Sequence, residues 1–365
     1  MRKLATVREI KALKPIDGAD MIECAVIDGW ECVIAKKDGF KVGDKIVYFE
    51  IDSILPERPE FEFLRDRKFR VRTIKLRKQI SQGLVMPLSI LPAGDYELGY
   101  DVTEILDVKK HDPEAERERK SAGKKEDNIK NPILRHIVKK LMRYQWFRKL
   151  HTKPKKGGFP AWIVKTDEER IQNKVAMFEI EKALGTRFSI TEKLDGQSVT
   201  MFLERIRKNK YEFGVCSRNL RLKVPDDSSW WTVAKKINAE NVLREILEKH
   251  GGDHIVLQGE IIGGSIQGNK YKIDGYDFYA FNLILDGKKY TTAAMKNWLE
   301  RHDIKTVPIL EEDFALKENI PAMVEYAKGK STLLNIKREG VVIRNYDRDI
   351  SFKVINSDFL LAESA

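Results

Sequence analysis

Residues 188–204, FSITEKLDGQSVTMFLE, contain two strand-like runs on either side of Asp195-Gly196. The stretch predicts a strand-plus-turn unit, with Lys193 close to the turn. A lysine in such a place is more often a solvated surface charge than a reactive nucleophile. The letters Lys-Leu-Asp-Gly also arise often by chance, so the residues around and beyond Lys193 have to decide between the two interpretations.

Further strand-like stretches surround this unit, and helices are expected between them. Together they predict an α+β domain with a large antiparallel sheet over residues 159–365. The strand-like stretches are 211–223, 254–264, 276–290, 339–345 and 350–361, and the expected helices are 169–185, 232–249, 292–302 and 321–330.

Residues 1–106 consist of short apolar runs broken by glycine and proline turns, which predicts an all-β barrel of the OB type. Asp28-Gly29 lies between two such runs and is a hairpin signal. In the stretch beginning at Phe69, Phe69 and Val71 alternate with Arg70 and Arg72, so one face is basic. That face fits either nucleic-acid binding or mere solubility, because OB barrels have many unrelated functions.

Net charge separates the middle of the chain from the rest. The chain carries +11, and residues 107–156 contain 17 Lys/Arg and 7 Asp/Glu, a net +10. Residues 107–158 are therefore predicted to be a basic linker. Within it, Ile133, Ile137, Leu141 and Tyr144 recur at helical spacing and predict an amphipathic basic helix. A helix of this kind either packs with a solvated face or contacts a phosphate backbone.

Several classes of protein are disfavoured. The N-terminus has no apolar run that predicts a signal peptide, and no stretch is long enough to span a bilayer. The cysteines number three, which predicts reduced thiols and an intracellular, cytoplasmic protein, with the nucleus not excluded. A zinc site at His250 and His254 is improbable because glycines interrupt the spacing. GGSIQGNK, residues 263–270, fails the phosphate-loop pattern and predicts a connection between strands.

Charged and aromatic residues follow Lys193 in a fixed order at predicted strand ends. This order resembles that of the nucleotidyltransferase superfamily of ATP-dependent polynucleotide ligases and mRNA capping enzymes. The matching positions are Lys193 to Gly196 for the nucleophile motif, Glu260 for the third motif, Phe281 for the aromatic motif, Glu339 with Val341 for the fourth, and Lys353 for the fifth. Five ordered motifs are far more specific than one.

The resemblance implies an ATP-grasp-like DNA/RNA ligase adenylation fold and a set of residue roles. Lys193, Glu339 and Lys353 are the implied catalytic residues, with Mg²⁺ or Mn²⁺ held by Glu339 and, through water, by Asp195 and Glu260. Phe281 stacks on adenine, with Tyr279 as the competing choice. The implied ATP or AMP contacts are Glu192, Lys193, Asp195, Gly196, Gln197, Ser198, Arg218, Glu260, Phe281 and Lys353.

Within the superfamily, the chain is most similar to RNA ligases of the RNA ligase 2 type. An OB module before the ligase core resembles the RNA ligase 5 branch, and little sequence follows Lys353 to form a C-terminal OB domain. The expected activity is ATP-dependent joining of RNA 3′-OH and 5′-phosphate ends, with the nicked duplex as one candidate substrate, for RNA repair. Arg170, Gln172, Asn173 and Asn219 are expected to contact the triphosphate or the RNA end; a helix start at Thr166 or Asp167 is the alternative.

One departure concerns the fifth motif, in which RNA ligase 2-type proteins generally carry Lys-x-Lys. Here Lys353-Val354-Ile355 offers one lysine, or Ser351 takes the first position of the pair. Arg344, Arg348 and Lys337 are the candidates for supplying the missing phosphate contact. A DNA or mixed RNA/DNA ligase, a capping guanylyltransferase and a non-catalytic RNA-binding protein remain as alternatives.

Overall fold

The N-terminal part of the molecule is built from short antiparallel strands. The computed structural model describes residues 3–111, 156–223 and 225–364, so the predicted connector and basic helix at 133–149 lie outside the described residues. The strands are β1 (Ala5–Glu9), β2 (Ala12–Pro15), β3 (Ile22–Ile27), β4 (Trp30–Ala35), β5 (Lys45–Phe49), β6 (Ser53–Ile54), β7 (Thr73–Leu76), β8 (Gln79–Gln82), β9 (Leu84–Pro87) and β10 (Lys109–Lys110). They pair in the orders β1-β5-β9, β2-β3-β4, β7-β8 and β10-β6.

Strand β5 is the centre of the barrel because both of its faces are buried. Val47 and Phe49 belong to one apolar cluster, whereas Ile46 and Tyr48 belong to another. Such burial on both faces explains why this strand is apolar at successive positions. The expected OB-type barrel is confirmed, and the Asp28-Gly29 turn joins β3 to β4, with Asp28 at φ 51°. Pairing of β10 with β6 extends this unit to Lys110, past the predicted boundary at residue 106.

The C-terminal part contains two antiparallel sheets, as the α+β prediction requires. One has seven strands in the order β11-β15-β14-β13-β16-β17-β18, and the other has four in the order β19-β12-β20-β21. Their bounds are β11 (Lys156–Gly158), β12 (Arg187–Lys193), β13 (Gln197–Arg207), β14 (Lys210–Cys216), β15 (Leu220–Leu222), β16 (His254–Gly263), β17 (Tyr276–Leu285), β18 (Lys288–Lys289), β19 (Ile309–Ala315), β20 (Gly340–Asn345) and β21 (Ile350–Ile355). Since β11 pairs with β15, the sheet begins slightly before residue 159.

Helices pack on the apolar faces of these sheets, except that the last helix packs against β7 of the barrel. Within the described ranges they are α1 (Val175–Ala183), α2 (Ser229–Lys236), α3 (Ala239–His250), α4 (Thr292–Glu300), α5 (Ile320–Ala327) and α6 (Ser357–Ser364). Leu243 and Ile246 of α3 pack with Leu257 of β16 in the larger core. The four expected helical regions all contain helices. Helix α6 differs from expectation, because the strand-like stretch 350–361 turns helical after Ile355.

The barrel and the C-terminal domain meet through a buried polar contact at Asn173. Its Oδ1 accepts hydrogen bonds from Trp30 Nε1 at 2.8 Å and from Arg8 Nη2 at 3.2 Å, and its Nδ2 donates to Glu50 at 2.6 Å. A Cβ built at Gly29 would lie 2.7 Å from the Cα of Gln172, so glycine is required for this close approach. Gln172 and Asn173, which were expected to contact the triphosphate or the RNA end, lie at this contact between the two domains.

Replacing Asn173 with alanine should weaken the contact between the domains. The change strips one shared acceptor from Trp30 and Arg8 and leaves the buried Glu50 without this donor. We expect the free energy of unfolding to fall by about 1–3 kcal/mol, measured by chemical denaturation. Asn241→Ala, at an exposed helix position, is the control with little expected effect. Equal stability of the Asn173 variant and the wild type would contradict this role.

Candidate active site

A large cavity opens where the two C-terminal sheets and the barrel come together. Its volume is about 820 Å³, and residues from all three parts line it. Lys193, Glu260 and Arg344 come from the C-terminal sheets, whereas Arg70 and Arg72 come from the barrel. The basic face predicted for the stretch beginning at Phe69 therefore points toward the same cavity as Lys193.

The floor of the cavity is one face of the four-stranded sheet. Alternation along each strand places Thr191 and Lys193 of β12 on this face. The register pairs Thr191 with Val342 and Val342 with Lys353, while Lys193 pairs with Gly340. Directly paired residues in a sheet point to the same side, so Lys193 and Lys353 face the same space.

Lys193 forms an ion pair with Glu339 in the centre of this floor. Its Nζ lies 2.6 Å from Glu339 Oε2, and both side chains are largely buried. Burial lowers the pKa of Lys193, but the charges of Glu339, Glu260 and Asp195 outweigh it and hold that pKa above its usual value. In this state the amine is protonated at neutral pH, so it becomes a nucleophile only when another cation takes over its carboxylate partners.

Asp195 and Gly196 form the turn directly after Lys193, and the turn is tightly packed. Lys270 Nζ lies 2.5 Å from Asp195 Oδ2, and the Asp195 amide donates to the hydroxyl of Tyr271. Burial and the charge of Glu339 raise the pKa of Asp195. A Cβ at Gly196 would collide with the carbonyl oxygen of Ile261, so only glycine fits this turn.

A bulge in the seven-stranded sheet directs Phe281 into the cavity. Gln258 pairs with Asn282 and Gly259 pairs with Ala280, so Phe281 is the extra residue on β17. Bulges commonly re-aim a side chain in this way. Phe281 lines the cavity, whereas Tyr279 is buried in the apolar cluster behind it. The geometry therefore favours Phe281 over Tyr279 as the stacking residue.

Three further expected ATP or AMP contacts line the same cavity as Phe281. Glu260 pairs with Ser198 across the sheet, and both line the cavity together with Gln197. Ser229 donates to Gln197 Oε1 at 2.8 Å, and Ser198 Oγ lies 2.9 Å from Thr166 Oγ1.

Glu192 precedes Lys193, and both its carboxylate and its backbone N–H already have hydrogen-bond partners. Its carboxylate is buried and accepts hydrogen bonds from the backbone and hydroxyl of Thr332. Its backbone N–H donates to Pro308 O at 2.8 Å. That hydrogen bond occupies the N–H, one of the two backbone groups that Glu192 could offer as the expected ATP or AMP contact.

The end of the cavity beyond Lys193 gathers cations around Asp167. Arg218 Nη2 lies 2.6 Å from Asp167 Oδ1, Lys110 Nζ lies 3.0 Å from Oδ2, and Lys353 Nζ lies 3.7 Å from Oδ1. Burial raises the pKa of Asp167, yet these cations hold it well below its usual value. A cluster of cations from separate elements is suited to phosphate oxygens.

The four residues expected to contact RNA or triphosphate do not form one group. Arg170 lines the cavity and bridges to Lys353 through the backbone, with its guanidinium 5.8 Å from the Trp30 ring centre. Gln172 and Asn173 lie at the domain contact, as described above. Asn219 accepts from Lys165 at 3.5 Å and is not among the residues that line this cavity.

The carboxylates fit a hard divalent cation that keeps most of its water. Glu339, Asp195 and Glu260 all line the cavity and jointly raise the pKa of Lys193. Over the described ranges, no three His, Cys, Asp or Glu side chains are grouped closely enough to form a complete metal cage. Mg²⁺ typically binds through one or two carboxylates and several waters. Glu339 is therefore the candidate for direct contact, with Asp195 and Glu260 acting through water.

Sequence patterns missed several residues of this site. Lys270 lies in GGSIQGNK, which indeed is not a phosphate loop, yet the stretch lines the cavity through Ser265 and Gln267. A lysine in a glycine-rich connection soon after Glu260 was the available signal. The contribution of Lys110 had no such signal, because only the contact between the domains brings Lys110 to Asp167, which also lies beside Lys353.

Comparisons with known proteins cover the whole chain. A family model described as an OB-fold domain matches residues 4–88, and one described as RNA ligase matches residues 186–355. The chain is similar to the structure of Naegleria gruberi RNA ligase with PPi, at 34% identity and a TM-score of 0.80, covering 100% of this chain and 99% of that one.

Two further structures of the same relative are similar to a comparable degree. A variant of Naegleria gruberi RNA ligase with ATP and Mn has 34% identity, a TM-score of 0.80 and complete coverage of both chains. An apo variant has 33% identity, a TM-score of 0.79 and coverage of 100% of this chain and 98% of that chain. A search of curated proteins finds no match. Across the described ranges, every helix is too short or too polar to cross a bilayer.

Proposed function

This chain belongs to the RNA ligase family and is an ATP-dependent RNA ligase, and on that premise we propose that it joins RNA 3′-OH and 5′-phosphate ends through AMP carried on Lys193. The observation that carries the proposal is the Lys193–Glu339 pair, 2.6 Å apart in a cavity that also holds two further carboxylates and several cations. Nucleophile, metal-binding oxygens and phosphate-binding cations are thus within one space.

In the first step the neutral amine of Lys193 attacks the α-phosphorus of ATP. A P–N bond forms, the P–O bond to the pyrophosphate breaks, and the nitrogen releases one proton to solvent and keeps the other. Glu339 would hold a divalent cation, which would supply positive charge for the phosphoryl oxygens and free the Lys193 amine from its ion pair. Lys353 provides further positive charge beside Lys193, where negative charge spreads in the transition state.

The nucleoside is held on the other side of Lys193. Phe281 offers its ring to the adenine, and Glu260 accepts hydrogen bonds from ribose hydroxyls. Gln197 and Ser198 lie on the neighbouring strand and complete this wall. These contacts keep the α-phosphorus within reach of Lys193 and do not themselves change bonds.

Two later steps transfer AMP and seal the RNA. A 5′-phosphate oxygen attacks the AMP phosphorus, the P–N bond breaks, and Lys193 regains its protons. The RNA 3′-OH then attacks the 5′-phosphorus, a phosphodiester forms, and AMP leaves. Arg70, Arg72 and Lys110 line the cavity from the barrel side, which gives the RNA backbone a basic surface next to Lys193.

The substrate and setting are parts of the same proposal. A cavity with one basic wall in the barrel and another in the ligase domain suits an RNA held on both sides of a break, such as a nicked duplex. RNA repair in the cytoplasm is the expected role. All three cysteines are free and buried, in agreement with a reducing compartment.

A panel of nicked duplexes tests this proposal. Each duplex carries RNA or DNA in the strand with the 3′-OH, in the strand with the 5′-phosphate and in the template, and α-labelled ATP reports the AMP intermediates. We expect sealing to require RNA at the 3′-OH strand. Equal sealing of all-DNA nicks would favour the DNA ligase alternative, and labelling by GTP instead of ATP would favour a capping enzyme. RNA binding without any AMP transfer would favour a non-catalytic protein.

A further inference from the structure

Arg344 lies on the same sheet face as Lys193 and Lys353, further along the cavity floor. The register pairs Ser189 with Arg344 and Arg344 with Ser351. This row of residues lies two positions from the row of Thr191, Val342 and Lys353, a step of roughly 6.5–7 Å along the strands. Building on the proposed function, we propose that Arg344 binds the β- and γ-phosphates of ATP and the departing pyrophosphate, replacing the second lysine of the fifth motif.

The guanidinium of Arg344 is buried beneath the cavity with unused hydrogen-bonding capacity. The residue is only 5% exposed and is part of the cavity floor. Its Nη1 donates to Thr191 Oγ1 at 3.2 Å and its Nη2 lies 3.3 Å from Glu168, but its Nε has no hydrogen-bond partner within the described structure. A buried donor left without a partner is costly, so such a group is expected to gain an acceptor in the working state.

The other two candidates for the missing cation lie elsewhere. Arg348 is half exposed and pairs with Glu181 at 2.9 Å. Lys337 is exposed on the segment before β20. Neither residue lines the cavity, whereas Arg344 does. The structure therefore separates three arginines and lysines that the sequence left equivalent.

In-line displacement explains why the terminal phosphates should reach Arg344. The leaving pyrophosphate has to lie on the side of the α-phosphorus opposite the attacking nitrogen. With Lys193 in one row of the floor, the next row contains Lys353 and the following one contains Arg344. A polyphosphate that extends away from Lys193 along the strands meets these two cations in turn.

Glu168 occupies the position where these phosphates would bind. Its carboxylate contacts both Arg344 and the hydroxyl of Ser351, one on β20 and one on β21. A carboxylate held by a guanidinium is the nearest protein equivalent of a bound phosphate. Phosphate oxygens can take over these donors and add a bond to the unpartnered Nε of Arg344.

The reverse of the first step isolates this interaction. Added pyrophosphate attacks the AMP phosphorus, a P–O bond forms, the P–N bond to Lys193 breaks, and ATP is released. Pyrophosphate takes part in lysine adenylylation and its reversal but not in sealing of a pre-adenylylated nick. A residue that binds pyrophosphate should therefore affect the first two measurements and spare the third.

The test compares Arg344→Met with Arg348→Met and Lys337→Met in the full-length protein. For Arg344→Met we expect ATP-dependent labelling at low ATP, and release of AMP by pyrophosphate, to fall about 10- to 100-fold. Sealing of a pre-adenylylated nick should stay within about threefold. Arg344→Lys should recover part of the loss, because it restores charge without the planar fork. The two control variants should behave like wild type.

Three outcomes decide the question separately. Equal loss of all three activities in Arg344→Met and Arg344→Lys would mean that Arg344 only supports the fold, and the inference would be wrong. Unchanged pyrophosphate dependence in a labelled Arg344→Met enzyme would also overturn it. Absence of AMP labelling in the wild type would instead remove the proposed function itself.

Discussion

Lys193→Ala is expected to form no detectable covalent AMP adduct with α-labelled ATP and a divalent metal. Loss of the attacking atom removes the only bond that the proposed first step makes, so labelling should fall by about 10⁴-fold or more. Gel analysis of the denatured protein measures the adduct directly. Lys210→Ala, at the exposed first residue of β14 in the same domain, should be labelled like wild type.

Lys193→Arg tests the nucleophilic amine separately from the positive charge, because it removes the amine and keeps the charge. Arginine keeps a cation near Glu339 but cannot be deprotonated in proteins, so it should preserve stability and still give no adduct. Both Lys193 variants should retain measurable sealing of a pre-adenylylated nick, since that step needs no lysine adduct. Normal labelling of Lys193→Ala would show that another residue is the nucleophile.

Glu339→Gln is expected to reduce adenylylation at least about 100-fold while leaving the fold intact. Glu339 is the direct partner of Lys193 at 2.6 Å and the candidate for direct metal contact, so the change removes charge from both. An amide is a much poorer ligand for a hard cation than a carboxylate is. Raising Mg²⁺ or Mn²⁺ should recover part of the activity if the loss is mainly one of metal affinity.

The matched control for this variant is Glu312→Gln, an exposed carboxylate on β19 of the same sheet. It should need no more metal than wild type. ATP titrations at several metal concentrations distinguish weaker metal binding from a slower chemical step. A loss of activity caused by weaker metal binding shrinks as the metal concentration rises, whereas a loss in the chemical step does not. Full activity of Glu339→Gln at low metal would contradict the role given to Glu339.

The division into an OB-type barrel and an α+β domain could be predicted largely from short-range sequence patterns. The alternation around β5, the turn at Asp28-Gly29 and the helical regions each depend on neighbouring residues, which is why the OB-type barrel and the α+β domain were predictable. Helix α6 was not, because an apolar stretch such as 350–361 fits a strand or a buried helix equally well. Packing of α6 against the barrel strand β7 involves distant parts of the chain.

The residues of the candidate site likewise fall into those that the sequence pattern predicts and those that only the tertiary structure places. Ordered motifs identified Lys193, Glu260 and Glu339, because the chemistry fixes both residue type and position relative to strand ends. The same reasoning assigned Gln172 and Asn173 to substrate, whereas the structure places them in the domain contact. A polar residue near a motif can contact a ligand or pack in a buried interface between domains. The sequence pattern is the same for both roles, so only the position of the neighbouring domain tells them apart.

By itself the sequence determined the kind of protein and pointed to Lys193 as the proposed nucleophile, since a lysine that carries AMP needs its carboxylates and cations in a particular order. Only the tertiary structure decided which cations share a space with it. Arg344, Arg348 and Lys337 are equivalent in the sequence, yet only Arg344 lies in a paired strand, and the register of β20 with β12 and β21 places it on the cavity floor. Register depends on pairing between distant strands, and a side chain changes face with every residue along a strand.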